Sequence, residues 1–229
     1  MTDINKLLGS LLSSGAASGF AGGLAGGMAS KMIKKKTVKK LGSNALKLGG
    51  VAAVGALAYT AYKRYNENQG AGAAGSQSNT PPQTQAKKVD VTGLFAAPVD
   101  SAFVPALEDQ TATDELGLTL VRAMIAAARS DGRLDAQESQ AIFQKIEEMG
   151  LDADDQNLLV QEMGHPVDID AIVNSAKSPE VAAEIYIASL LAVDVDTPAE
   201  KSYLNMLAAR LRLPPELVLE LENQVKSQQ

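Results

Sequence analysis

Two stretches of this chain of 229 residues gather carboxylates where one helix should give way to the next. Ala127-Ala128-Arg129-Ser130-Asp131-Gly132-Arg133-Leu134-Asp135-Ala136-Gln137-Glu138 is the first. Ala192-Val193-Asp194-Val195-Asp196-Thr197-Pro198-Ala199-Glu200 is the second. They read as a degenerate internal repeat, with acids in the turn and a Glu in the first turn of the following helix. Two chemistries fit. Hard cations such as Ca²⁺ or Mg²⁺ need several oxygen ligands brought together, which facing acidic turns could supply. Neither stretch has the alternating ligands of an EF-hand loop, however. The second chemistry is helix capping: a carboxylate near a helix N-terminus satisfies free N–H groups and complements the macrodipole. Capping is the first reading of these acids and metal the second.

Other chemistries have less to stand on. His165 is the single histidine and sits in a Gly-His-Pro turn. It reads as a residue ending a helix, because a general base needs a placed partner. The chain has no Cys, which excludes disulfides, thiolate metal sites and a cysteine nucleophile. It shows no nucleophile elbow, Walker loop, dinucleotide loop or zinc-protease motif. The expectation is that the protein is not an enzyme.

The elements that would position the acidic turns are helices. A first helix over about Thr113 to Arg129 turns Leu116, Leu120, Val121, Met124, Ile125 and Ala128 inward. Asp135-Ala136-Gln137-Glu138 has capping-box spacing and opens a helix that ends before Gly150. Asp152 starts a helix ending near Gly164, and Asp168 starts a short one. Ser178-Pro179 is an N-cap followed by Pro at the first helical position. Its helix is apolar on most sides and should be central. Thr197-Pro198-Ala199-Glu200 is a second capping box, and Pro214-Pro215 opens the last helix. No strand pattern competes. Residues 109–229 are therefore expected to fold as an all-α bundle of about seven short helices.

The charge is split. Residues 1–88 hold twelve Lys/Arg and two acids, +10, while residues 89–229 hold nine and twenty-five, −16. That asymmetry points to a nucleic-acid or membrane contact for the basic part. With almost no Arg there and no aromatic stacking platform, nucleic acid is not expected as a partner. Leu7 to Ser30 carries no charge, and Gly15, Gly19, Gly23 and Gly27 recur every fourth residue. On a helix they form a bare ridge suited to close packing in lipid, and so to a homo-oligomer. A flexible Gly/Ala/Ser linker is the plainer alternative.

Lys31, Lys34, Lys35, Lys36, Lys39 and Lys40 follow, and then an uncharged segment from Leu48 to Tyr62. Extended back to Leu41, with Lys47 snorkelling, that segment reaches spanning length. Tyr59, Tyr62 and Tyr65 would then be interfacial anchors. Three topologies stay open: the second segment spans alone, both apolar segments form a hairpin, or neither spans. Residues 1–65 are thus expected to be a membrane-anchoring region with membrane lipid as partner, and 66–108 a disordered, flexible linker. Val89 to Pro105 would dock on the bundle or on another protein. The positive-inside rule puts residues 109–229 in the periplasm, with the cytoplasm as alternative.

Ser130-Asp131-Gly132-Arg133-Leu134-Asp135-x-x-Glu138 and Asp194-x-Asp196-x-x-x-Glu200-x-x-Tyr203-Leu204 resemble the acidic turns of the tellurite-resistance TerB-like domain. The match covers about residues 110–225. The whole chain is similar in organisation to the YebE-like bacterial inner-membrane proteins of unknown function. The resemblance implies a helical bundle, an inner-membrane location, no established activity and a role in membrane-associated stress complexes. It also implies metal candidates: Asp131, Asp135 and Glu138 in one cluster, Asp194, Asp196 and Glu200 in the other. The second turn lacks the Asp-Gly step, which sets it apart from the first. The expected function is a membrane-anchored, non-enzymatic interaction or scaffold protein whose acidic domain meets an unknown protein partner. The alternative is a tethered Ca²⁺/Mg²⁺ sensor or buffer.

Overall fold

The structure, a computed structural model, describes residues 4–13, 50–71, 103, 110–130, 153–193, 195 and 197–227. Every regular element among them is helical: α1 (Ile4–Ser13), α2 (Gly50–Ala71), α3 (Gln110–Ala128), α4 (Ala153–Gly164), α5 (Ile169–Ser175), α6 (Pro179–Leu191), α7 (Pro198–Arg210) and α8 (Pro215–Lys226). The expected helix after Asp135 lies outside the described residues.

Local chemistry accounts for the starts of α5 to α8. Asp168 Oδ1 accepts the Ala171 N–H at 2.8 Å and opens α5. Ser178 Oγ accepts from Val181 N at 3.3 Å, with Pro179 at the first helical position of α6. Thr197 and Glu200 close a reciprocal capping box on α7. Pro214 and Pro215 open α8 without a side-chain cap. The end of α7 is a Schellman turn: Arg212 N–H reaches Ala209 O at 3.2 Å and Leu213 N–H reaches Ala208 O at 3.1 Å. It places Arg212 at φ 56, the left-handed position where glycine is usual.

α6 is central, as its all-round apolarity predicts. Residues 182–191 are all buried, and α6 packs against α3, α2, α8 and α7. From α3 come Leu120, Val121, Ala123, Met124 and Ala127, from α8 Leu217, Leu221 and Val225.

The described parts of the N-terminal apolar segments lie in the bundle core, where a spanning segment was expected. Leu7, Leu8, Leu11 and Leu12 of α1 and Val51, Val54, Leu57, Ala58 and Ala61 of α2 belong to the same core as α3, α6 and α8. No helix among the described residues is long and apolar enough to cross a membrane. The physical reason is that burial against protein removes an apolar face from water as well as lipid does. α2 also runs to Ala71, past the point at Asn66 where a linker was expected, and it packs against α8, α1 and α6.

Two of the three tyrosines expected as interfacial anchors, Tyr59 and Tyr62, meet Phe103. Phe103 is 5% exposed and stands edge-on to Tyr59 at 5.7 Å and to Tyr62 at 5.4 Å between ring centroids. Of the two destinations open for Val89–Pro105, Phe103 takes the bundle.

Candidate functional site

Three glycines let the N-terminal helices dock. A Cβ on Gly50 would come within 2.4 Å of Gly9 N and 2.5 Å of Leu8 Cβ, so α1 and α2 touch backbone to backbone. On Gly117 of α3 it would meet Ile4 Cγ2 at 2.5 Å. On Gly55 it would meet the Phe103 carbonyl oxygen at 2.1 Å and Glu184 Oε1 at 2.9 Å. Close helix approach over bare Cα atoms was foreseen for Gly15, Gly19, Gly23 and Gly27, which lie outside the described residues. Within them, the same device operates at Gly50, Gly55 and Gly117.

The Gly55 junction holds the most unusual group in the core. Glu184 is 0% exposed, and neither carboxylate oxygen has a hydrogen-bond partner among the described residues. Burial, and secondarily the Glu180 charge one turn earlier, hold its carboxyl well above the usual carboxylate range. The sequence did carry a signal for it: Glu184 is the lone acid inside Val181-Ala182-Ala183-Glu184-Ile185-Tyr186-Ile187, an apolar run that must be buried on most sides.

Of the six candidate metal ligands, Asp131, Asp135, Glu138, Asp194 and Asp196 lie outside the described residues. Glu200 is described, and it is 4% exposed. Its Oε2 accepts both from Thr197 N at 2.9 Å and from Thr197 Oγ1 at 2.9 Å, while Glu200 N–H donates to Thr197 Oγ1 at 3.2 Å. This carboxylate closes a helix cap, the first of the two chemistries weighed for the acidic turns. Among the described residues no three metal-ligating side chains come together. Val195, between the two acids of that turn, has φ 54, unusual for a β-branched residue.

A cleft of about 320 Å³ lies between α3, α4 and α5, lined by Arg122, Glu162, His165, Val167 and Ile172 among others. Arg122 grips Glu162 with both forks, Nε to Oε2 at 2.7 Å and Nη2 to Oε1 at 2.8 Å. The hydrogen-bonded guanidinium lowers the Glu162 carboxyl and is itself raised in return. Glu162 is thereby held as an anion, a pairing between α3 and α4 that sequence spacing did not reveal. His165 follows the end of α4 as expected, and its carbonyl accepts from Arg129 Nη1 at 3.0 Å, beside the Met163 carbonyl at 3.2 Å. Thr119, Asp168 and Ser175 also line the cleft, which therefore presents an ion pair among both polar and apolar walls.

A family model described as a protein of unknown function, DUF533, matches residues 18–225. Among curated proteins, an uncharacterized protein in the ampR 5′ region of Yersinia enterocolitica is 29% identical over 107 residues, 47% of this chain and 77% of that protein. No solved structure matches.

Proposed function

The chain belongs to DUF533, a family of proteins of unknown function, and on that premise we propose that it is a non-catalytic interaction module held at one face of a membrane. The observation that carries this reading is the meeting of Gly9 and Gly50. It fixes both ends of residues 14–49, the segment with the six clustered lysines, to one bundle. A segment tied at both ends to one body crosses a bilayer an even number of times or not at all. After Lys40 only residues 41–49 are left for a return, about 14 Å as a helix at 1.5 Å per residue, against a hydrocarbon core of roughly 30 Å. An unpaired extended return is not stable in lipid.

This supports peripheral attachment, with the lysines drawn to anionic headgroups and Gly15, Gly19, Gly23 and Gly27 proposed for self-association. The lysines and the bundle then share a side, which favours the cytoplasmic face of the inner membrane over the periplasmic orientation expected from a spanning segment. The acidic bundle is left to meet a basic protein partner by charge complementarity. The Arg122–Glu162 pair, locked by two hydrogen bonds, supports a role without catalysis. The acidic-turn resemblance supports a finer placement, YebE-like with a TerB-like domain and a role in membrane stress. With Glu200 engaged in its cap, no observation favours the metal alternative.

The test uses the full chain with vesicles of phosphatidylglycerol and of phosphatidylcholine. We expect cosedimentation with the anionic vesicles alone, reversed by high salt and by alkaline carbonate. A chain that stays in the supernatant with anionic vesicles overturns membrane attachment. One that resists carbonate overturns the peripheral topology.

A further inference from the structure

Glu184 plays no part in that reading, yet its position is the least explicable by packing alone. α6 is apolar from Val181 to Leu191 except for Glu184, Ser189 and the Tyr186 hydroxyl. Ser189 donates to Ala123 O at 3.4 Å, and the Tyr186 hydroxyl meets Glu222 Oε1 at 3.3 Å. Among the described residues, Glu184 alone of the three has no hydrogen-bond partner. It sits where α2 offers the bare Cα of Gly55, beside the backbone carbonyl of Phe103.

Among the described residues, no cation faces it from the surrounding helices. α2 carries only Tyr59 and Tyr62 as ionisable groups between Gly50 and Tyr62, and Lys63 and Arg64 are exposed. On α3, Arg122 is exposed and committed to Glu162. α7 presents Tyr203, Leu204 and Leu207, with the Glu200 carboxylate in its cap. α8 presents Leu217, Leu221, Gln224 and Val225, with Glu222 on Tyr186 and Lys226 on Glu222. The charge nearest along α6 is that of Glu180, which repels.

We propose that Glu184 is a proton-operated latch at the seam between α2 and α6: its neutral carboxyl keeps α2 and Phe103 seated on the bundle, and its ionisation unseats them. A neutral carboxyl is a donor beside the Phe103 carbonyl oxygen, whereas a carboxylate there puts two acceptors together and leaves a buried charge with no counter-ion among the described residues. Unseating α2 solvates the carboxylate and uncovers Val51, Val54, Leu57, Ala58 and Ala61. The sign follows from an acid whose folded pKa is raised. The seat is fully stable below the ordinary carboxylate range and weakens as pH rises from there towards the folded value. This is a property of the bundle itself, so it stands or falls without lipid and separately from membrane attachment.

Amide hydrogen exchange of the full chain, read by mass spectrometry from pH 5 to 8 and corrected for intrinsic rates, tests the latch. For residues 50–71 we expect the opening equilibrium to increase by up to about tenfold per pH unit, the limit for one linked proton, while residues 198–210 stay flat. In Glu184→Gln the increase should vanish. An equal increase in Glu184→Gln, or none in the unmodified protein, overturns the proposal. Should Glu184→Gln not fold, infrared spectroscopy of the unmodified protein decides: a protonated-carboxyl band persisting at neutral pH is expected, and its absence overturns the latch.

Discussion

Gly50 of α2 lies so close to Gly9 of α1 that a Cβ at position 50 would stand 2.4 Å from the Gly9 backbone nitrogen. The obstacle is backbone rather than the end of a flexible side chain, so it cannot swing aside. Gly50→Val should therefore push α1 off α2 and destabilise the fold by about 1–3 kcal/mol, the usual range for overpacking. Urea unfolding followed by circular dichroism checks it. An unchanged midpoint would mean that α1 does not depend on this contact.

Tyr203 gives the alkaline limit of the fold a specific origin. Burial pushes its phenol up to about 12, with the Ser189 hydroxyl acting in the opposite direction. A phenol with a raised folded pKa contributes stability that is complete below its ordinary value and is lost as pH rises from about 10 towards 12. Tyr203→Phe should flatten that part of the stability–pH curve. The measurement is the denaturation midpoint at pH 9, 10 and 11 for both proteins, and parallel curves would remove Tyr203 as the cause.

The Thr197–Glu200 box makes a local prediction. Thr197→Ala removes the acceptor for Glu200 N–H and should lower stability by about 1 kcal/mol. The change should concentrate in the first turn of α7. Thermal unfolding with exchange of the Glu200 and Lys201 amides would detect it, and a silent substitution would show that the cap is dispensable.

Arg212 predicts a change of opposite sign. A non-glycine residue at φ 56 is strained, while glycine populates that region freely. Arg212→Gly should stabilise the protein by about 0.5–1 kcal/mol, partly offset by the added freedom of the unfolded chain. Loss of stability in urea would instead assign the Arg212 side chain a contact of its own.

The helix starts at Ser178 and Thr197 were legible in the sequence because a cap is made among residues within one turn of each other, and that at Pro215 because proline fits the first helical position. The centrality of α6 was legible too, since a helix apolar on all sides has nowhere to go but the middle. The Arg122–Glu162 pair was not, because it joins α3 to α4 and depends on how those helices lie side by side. Glu184 was visible only as a lone acid in an apolar run. That it would face Gly55 required knowing that α2 lies against α6.

Composition and periodicity alone determined that this chain is all-helical, that its charge is divided between two halves, and where most helices of the second half begin. Those are consequences of short-range hydrogen bonding and of side-chain spacing. Only the tertiary structure decided that Leu7–Leu12 and Val51–Ala61 lie inside the same core as α3, α6 and α8. The hydrophobic effect is non-directional: an apolar face records that it must leave water, not whether lipid or protein will cover it.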